Sequence, residues 1–362
     1  MPMSPNLIVD LVKSIRDLFT AAEETLLRTL ARHIERGVAG ESWADRRYLE
    51  LQDLNNELDQ LLDDLYADVP GAVERAMRMS YNRGTASAVN DLESNGVGDG
   101  ALSAPPVPPS VVAFVEATMN PLRDTPFRVR RWTNDVYDMV TRETTAQVLT
   151  GAMTRREASA AALKRYAQYG VTGFVDRVGR NWELASYAEM AARTQAAQAA
   201  LQGQTDKMVS LGQDLVIVSD APQECALCRP WEGKVLTITG RTRGELSDGA
   251  NVAGSVAEAM LAGLYHPNCR HSQGLYLPGI TQRFTHTQDP EGDKLRQRQR
   301  AYERRIRQWK RRVIVDEEIH GKTSPEARET RRKLRQAQAQ FKTFRDDNGL
   351  KNLAYRTSIT AR

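Results

Sequence analysis

Apolar residues recur at three- and four-residue steps through the start of the chain. Ile8, Leu11, Val12, Ile15, Leu18, Phe19, Ala22, Leu26, Leu30 and Ile34 fall on one face of a helix. Gly37 is placed to stop it. Tyr48, Leu51, Leu58, Leu61, Leu62 and Leu65 form the stripe of a second helix, and Pro70-Gly71 predicts a break before a third piece running to Leu92. After Asn95 the pattern stops: the stretch to Ser110 is dominated by Gly and Pro and predicts an extended linker. Helical patterning then resumes. Thr154 and Glu157 have capping-box spacing, and Gly170 is placed to close the helix they open. The stretch from Gly173 to Trp182 predicts a loop carrying two packing aromatics, and the Ala-rich run from Glu183 to Leu201 predicts helix.

Beyond Gln213 the period changes. Leu215–Val218, Lys234–Thr239 and Ser272–Leu277 are short β-branched or apolar runs, expected to be strands of a small sheet. Gly240 to Gly263 is expected to be an insert of loop with one short helix. The end of the chain predicts a helical hairpin. Tyr302, Ile306, Trp309 and Val313 form its stripe, Gly321 lies in its turn, and Ser324-Pro325-Glu326 begins the second helix. The expected fold class is therefore α+β and mainly α-helical, with long helical arms around a small mixed-sheet module. The expected organisation is a helical region 1–94, a linker 95–110, a helical region 111–212, an α+β module 213–281 and a basic hairpin tail 282–362.

Charge changes the picture of the tail. Residues 282–362 hold 22 Lys and Arg against 11 Asp and Glu, a net +11, while the remainder holds 28 against 35, a net −7. Arg304, Arg305, Arg307, Lys310, Arg311 and Arg312 are the candidate phosphate-binding residues, and packaged DNA is the candidate partner. The bland reading is a solvated helix pair, with Glu303, Asp316, Glu317, Glu318 and Glu326 interleaving the cations. No run of apolar residues is long enough to span a membrane, and charged residues interrupt the N-terminal segment too early for a signal peptide.

The three cysteines are too few for a disulfide scaffold, and all fall in one region. Cys225-x-x-Cys228 and His266-x-x-Cys269-Arg-His271 form two turns of matching spacing. Together they supply four N/S ligands, as tetrahedral zinc requires, with His271 in reserve. Four protein ligands leave no open position, so the zinc would be structural. The alternatives are buried thiols beside a hydrogen-bonded histidine, a redox pair, or a three-ligand catalytic zinc with His271 or Glu232 as base. Trp231 is expected to pack over the site and Gly233 to permit the turn. Arg193-Thr194 is expected to be structural, and Trp182, Tyr187 and Met190 to be core. His33 and His320 are expected to be lone surface residues without partners in sequence, and His286 is unassigned. Neither a phosphate-binding Gly-rich loop nor a nucleophile elbow occurs, and the chain is expected not to be an enzyme.

These knuckles, with Trp231-Glu232-Gly233-Lys234-Val235 between them, resemble phage head-morphogenesis proteins of the Mu F type. The longer pattern resembles the phage minor capsid protein 2 family. It runs from Trp182 through Tyr187, Met190, Arg193-Thr194, Trp231-Glu232-Gly233 and Asn268-Cys269-Arg270-His271 to Pro278-Gly279, and the Arg-rich segment from Tyr302 to Lys310 fits as well. Ser219-Asp220 departs from the Ser-Ser-His segment many members carry. The resemblance implies a virion protein of the capsid interior and portal vertex, made in the host cytoplasm. The implied partners are the portal, major capsid and scaffold proteins, and the implied work is head assembly and DNA delivery. The competing functions are a zinc-dependent hydrolase, nuclease or maturation protease, and a DNA-binding head protein acting through the hairpin.

Overall fold

The computed structural model describes residues 5–37, 43–96, 108–171, 174–175, 179, 181–221, 223–283 and 289–360. Helices dominate, and one small mixed sheet interrupts them, as the patterning predicts. In chain order the elements are α1 (Pro5–Leu11), α2 (Lys13–Gly37), α3 (Trp43–Ser94), α4 (Pro109–Met119), α5 (Thr125–Leu149), α6 (Arg155–Ala167), β1 (Phe174–Val175), β2 (Asn181–Trp182), α7 (Leu184–Ser210), β3 (Leu215–Val218), β4 (Val235–Thr237), β5 (Gly244–Glu245), β6 (Asn251–Ser255), α8 (Val256–Leu261), β7 (Gln273–Leu275), α9 (Pro290–His320) and α10 (Pro325–Asp347). The Pro-rich span 97–107 and His286 lie outside the described residues.

The chain forms two compact units. One comprises Met1–Ile15, Pro70–Pro121 and Glu189–Arg296; the other comprises Arg16–Val69, Leu122–Ala188 and Gln297–Arg362. Pro70 does not break α3, contrary to the sequence expectation. Buried Leu62, Leu65, Val69, Ala72 and Val73 continue one apolar stripe past it, and the proline itself is exposed. Side-chain burial along the stripe outweighs the local cost of proline.

In the first unit, β3 sits near the middle of the sheet order β5-β6-β4-β3-β7. It pairs antiparallel with β4 and β7, and β4 pairs parallel with β6. The insert after Gly240 therefore contributes two strands as well as the expected helix. Its strands were illegible because Gly244–Glu245 and Asn251–Ser255 lie at an exposed edge without apolar alternation. Val216 and Val218 face a core with Ala88, Leu92, Met208, Leu236, Ala259 and Leu264, and Ile217 faces the opposite side with Val235 and Tyr276. The C-terminal half of α3 crosses α7 with backbones nearly touching. A Cβ on Gly84 would stand 1.8 Å from the Ala200 carbonyl oxygen, and one on Gly203 would stand 2.1 Å from that of Tyr81. The alanines of α7 make this approach possible, and the helix runs nine residues past the predicted end at Leu201.

In the second unit, Phe19, Leu26, Leu30 and Ile34 of α2 share a core role with Leu54, Leu58 and Leu62 of α3 and Val136 and Val140 of α5, all buried. The Thr154–Glu157 capping box forms as the spacing predicts, and Ser324 caps α10 by accepting from the Ala327 amide. Buried Arg311 lies 3.0 Å from Glu23 and 2.9 Å from Glu183. Gly170 takes φ 74° against this cluster, where a Cβ would meet Glu23 Oε1 at 2.3 Å. Burial drives the Glu23 carboxyl above its ordinary pKa against the pull of Arg311. At Glu183 the two guanidiniums of Arg311 and Arg307 overcome burial and hold it down at about 2.

Several other side chains differ from their sequence expectation. His33 is buried between Glu50 at 2.6 Å and Glu57 at 3.2 Å rather than a lone surface residue. Trp182 and Tyr187 form an edge-to-face pair and, like Met190, are only half-buried. Glu303 and Asp316 are buried rather than solvated, Asp316 receiving Lys164 at 2.9 Å and Thr330 at 2.7 Å.

Candidate metal centre

Two turns of the same build bring the cysteines together. In the first, which follows β3, the Cys228 amide donates to the Cys225 carbonyl at 3.2 Å; in the second, which follows α8, the Cys269 amide donates to the His266 carbonyl at 2.9 Å. The antiparallel pairing of β3 with β7 sets the two turns side by side: the Ser219 amide donates to the Ser272 carbonyl and the Ser272 amide to Ser219 Oγ. Cys225 Sγ lies 2.9 Å from His266 Nε2, Cys228 Sγ 3.5 Å from Cys269 Sγ, and Cys269 Sγ 3.4 Å from His271 Nδ1. Cys225, Cys228 and His266 have their ligand atoms within 4.8 Å of one another, as do Cys228, Cys269 and His271. This Cys/His group could hold a metal ion. Two thiolates on one tetrahedral zinc, each at about 2.3 Å, stand about 3.8 Å apart, close to the separation of Cys228 and Cys269.

The outer nitrogens of both imidazoles are occupied. His266 Nδ1 meets the Pro267 carbonyl at 2.8 Å, and His271 Nε2 meets the buried Glu232 carboxylate at 2.6 Å. Each ring thus turns its other nitrogen toward sulfur, as outer partners of metal-bound histidines do. Glu232 also accepts from the Ala221 amide at 3.1 Å. The electrostatics are those of a shared thiol proton. The hydrogen bond with Cys269, then burial, raises the Cys228 pKa. The same bond, reinforced by His271, lowers that of Cys269 to about 4 despite burial. Burial pulls His271 down, but Cys269 and Glu232 together raise it above its ordinary value. The arrangement thus favours a thiolate on one sulfur of the pair, the form that binds metal.

Residues outside the knuckles hold them in place. Tyr265 and Asn268, which flank His266-Pro267, take φ 57° and 69°, a costly conformation for side chains of this size. From α7, Gln198 donates to the Tyr265 carbonyl at 3.2 Å, while Arg193 donates to Asn268 Oδ1 and pairs with Glu189. On the first knuckle, buried Glu224 accepts from Arg229 Nε at 2.6 Å and from the Asp289 amide at 3.1 Å. Burial works to raise its pKa, but the bond and charge of Arg229 together with backbone amides outweigh it and leave the carboxyl below its usual range. Trp231 packs against the same apolar core as Cys225, Cys228 and Cys269, and Gly233 takes φ 69°, the turn conformation expected of it. Sequence reading missed the bracing roles of Gln198, Arg193, Glu224 and Glu232. Only their adjacency to the motifs, and the Arg193-Thr194 signature, pointed to them.

Comparison with known proteins decides what kind of protein carries this centre. Residues 3–346 match the family described as phage minor capsid protein 2. The chain belongs to that family. A relative described as a structural protein of Lactococcus phage LL-H is 26% identical over 189 residues, which is 51% of this chain and 51% of the relative. The chain thus matches about half the length of that relative. No solved structure matches it. The family is one of structural components of the phage particle, and none of the described helices is long and apolar enough to cross a membrane.

The six cations singled out in the tail do not form one surface. Arg311 is buried against Glu23 and Glu183, and Arg307 donates to Glu183 and to the Arg356 carbonyl. Arg311 therefore leaves the phosphate-binding candidates, because its charge is already neutralised in the core. Arg304 and Arg305 are exposed, and Lys310 and Arg312 are half-buried.

Proposed function

We propose that this chain is a structural protein of the phage head, working at the portal vertex and the capsid interior, and that a structural zinc closes its small sheet module. Membership of a minor capsid family supports the first part. The portal, major capsid and scaffold proteins are the partners implied by the sequence resemblance, and the virion is its place of work. For the second part, the observation that carries the reading is the convergence of two equal turns on one cluster of sulfur and imidazole donors. The ligands are Cys225, Cys228, His266 and Cys269, one pair from each turn. His271 stands behind them, its Nδ1 3.4 Å from the Cys269 sulfur and its Nε2 anchored by Glu232. A metal with four protein ligands has no open position for water, so its contribution is to folding rather than to turnover.

Two measurements test the reading. Elemental analysis of the purified chain is expected to give one zinc per chain, retained in His271→Ala and lost in His266→Ala and in Cys225→Ser/Cys228→Ser. A chain purified without chelators and found free of metal removes the zinc. Crosslinking in purified particles is expected to join the chain to the portal protein; its absence from particles removes the head assignment and leaves the metal centre standing.

A further inference from the structure

We propose that one face of α9, formed by Arg304, Arg305, Gln308, Trp309 and Arg312, binds the phosphodiester backbone of nucleic acid. With Ala301 these residues line a surface recess of about 300 Å³. They recur at three- and four-residue steps, so they share one side of the helix. No carboxylate lines the recess.

The clustering of its cations sets the recess apart. Several other arginines of the hairpin are neutralised: Arg300 by Glu303, Arg307 and Arg311 by Glu183, Arg331 by Glu317 and Arg332 by Glu329. Among the described residues, Arg304 and Arg305 form no salt bridge, and both are exposed. Arg312 lies over the Trp309 ring at 4.5 Å, and Lys333 of α10 sits 5.8 Å from the same ring. The indole thus gathers two further cations at the recess; Lys333 is shared with Glu329 at 3.5 Å, while Arg312 forms no salt bridge among the described residues. Three of these positive groups, Arg304, Arg305 and Arg312, lie along two to three turns of α9, about 12 Å at 1.5 Å per residue.

Such a row suits a polymer with a charge at every step. Phosphate binding requires only positive charge and hydrogen-bond donors, both of which guanidinium supplies. An acidic protein segment would also need apolar pockets or strand-edge amides to fix its chain, and the recess offers only the indole and Ala301. Attraction of a row of cations to phosphates acts on every sequence alike, so binding is expected to be independent of sequence.

The test measures fluorescence anisotropy of a labelled random-sequence duplex with the full chain across a salt series. Arg304→Glu/Arg305→Glu is expected to weaken binding at least tenfold and to lower the slope of log affinity against log salt by about 2. Arg335→Glu/Lys342→Glu, an equal charge change at exposed positions on α10, is expected to weaken it less than threefold. Thermal melts check that each variant folds, and Arg304→Gln/Arg305→Gln replaces the reversal if it does not. Equal losses in the two double variants would show attraction to net charge alone and overturn the site. No binding by the wild type would overturn it as well, as would competition by polyglutamate as strong as that by duplex. None of these outcomes depends on the metal centre.

Discussion

The Cys/His knuckles and the Arg311 cluster both bury polar groups, by different means. At the knuckles, five donor side chains come from two turns, and within each turn the spacing is three residues or fewer. At Arg311, the partners Glu23, Gln168 and Glu183 come from α2, the end of α6 and the start of α7, far apart in sequence. The first cluster gathers soft donors that could hold a metal ion. The second carries its own cation and is complete without any addition. The difference teaches that a buried polar cluster built from adjacent residues invites a ligand, whereas one assembled from distant charges has been closed by the fold itself.

Four predictions bear on this contrast, in order of expected size. Stripping metal with a chelator, or changing Cys228→Ser, is expected to melt the sheet module well below the rest of the chain. Metal binding there is folding free energy, on the order of 10 kcal/mol in small zinc domains. Calorimetry in two phases would show it; one unchanged transition would make the two clusters alike. Arg311→Met is expected to cost about 3–5 kcal/mol by leaving Glu23 buried without a cation and Glu183 with Arg307 alone, and Glu23→Gln/Arg311→Met should recover part of that loss. Denaturant midpoints measure both, and a cost below about 1 kcal/mol would place the cluster with ordinary surface pairs.

Glu232→Gln is expected to weaken zinc binding about 10–100-fold, as loss of an outer partner does, while leaving the stability of the Arg311 cluster unchanged. Competition with a chromophoric chelator reads the first effect. The smallest effect is that of pH. The folded pKa of Glu183, about 2, lies below the usual carboxylate value of about 4.3. Its contribution is therefore complete above about 4.3 and is lost as pH falls toward 2. Melts of Glu183→Gln beside wild type should converge over that window; parallel curves would remove Glu183 from the acid response.

The contrast also explains which features were legible. Helix stripes, the Thr154 and Ser324 caps and the β-branched strands were legible because each depends on residues within one or two turns. The two Cys/His knuckles were legible for the same reason. The continuity of α3 through Pro70 was not, since it depends on what Val69 and Val73 pack against. Gly84 and Gly203 were not either. Each is ordinary in its own helix, and only the crossing of two backbones makes a Cβ there impossible.

By itself the sequence determined the helical class, the presence and position of a small sheet, the two knuckles with their donors, and the concentration of positive charge in the tail. All of these are local properties of spacing and composition. Tertiary structure alone decided that the basic tail divides into a neutralised interior, with Arg311 at its centre, and an exposed row at Arg304 and Arg305. It also decided that Glu232 faces His271, and that α7 braces the second knuckle through Gln198 and Arg193. The physical reason is that a charge declares its role only through its neighbours and its access to water, and both are fixed when distant segments pack.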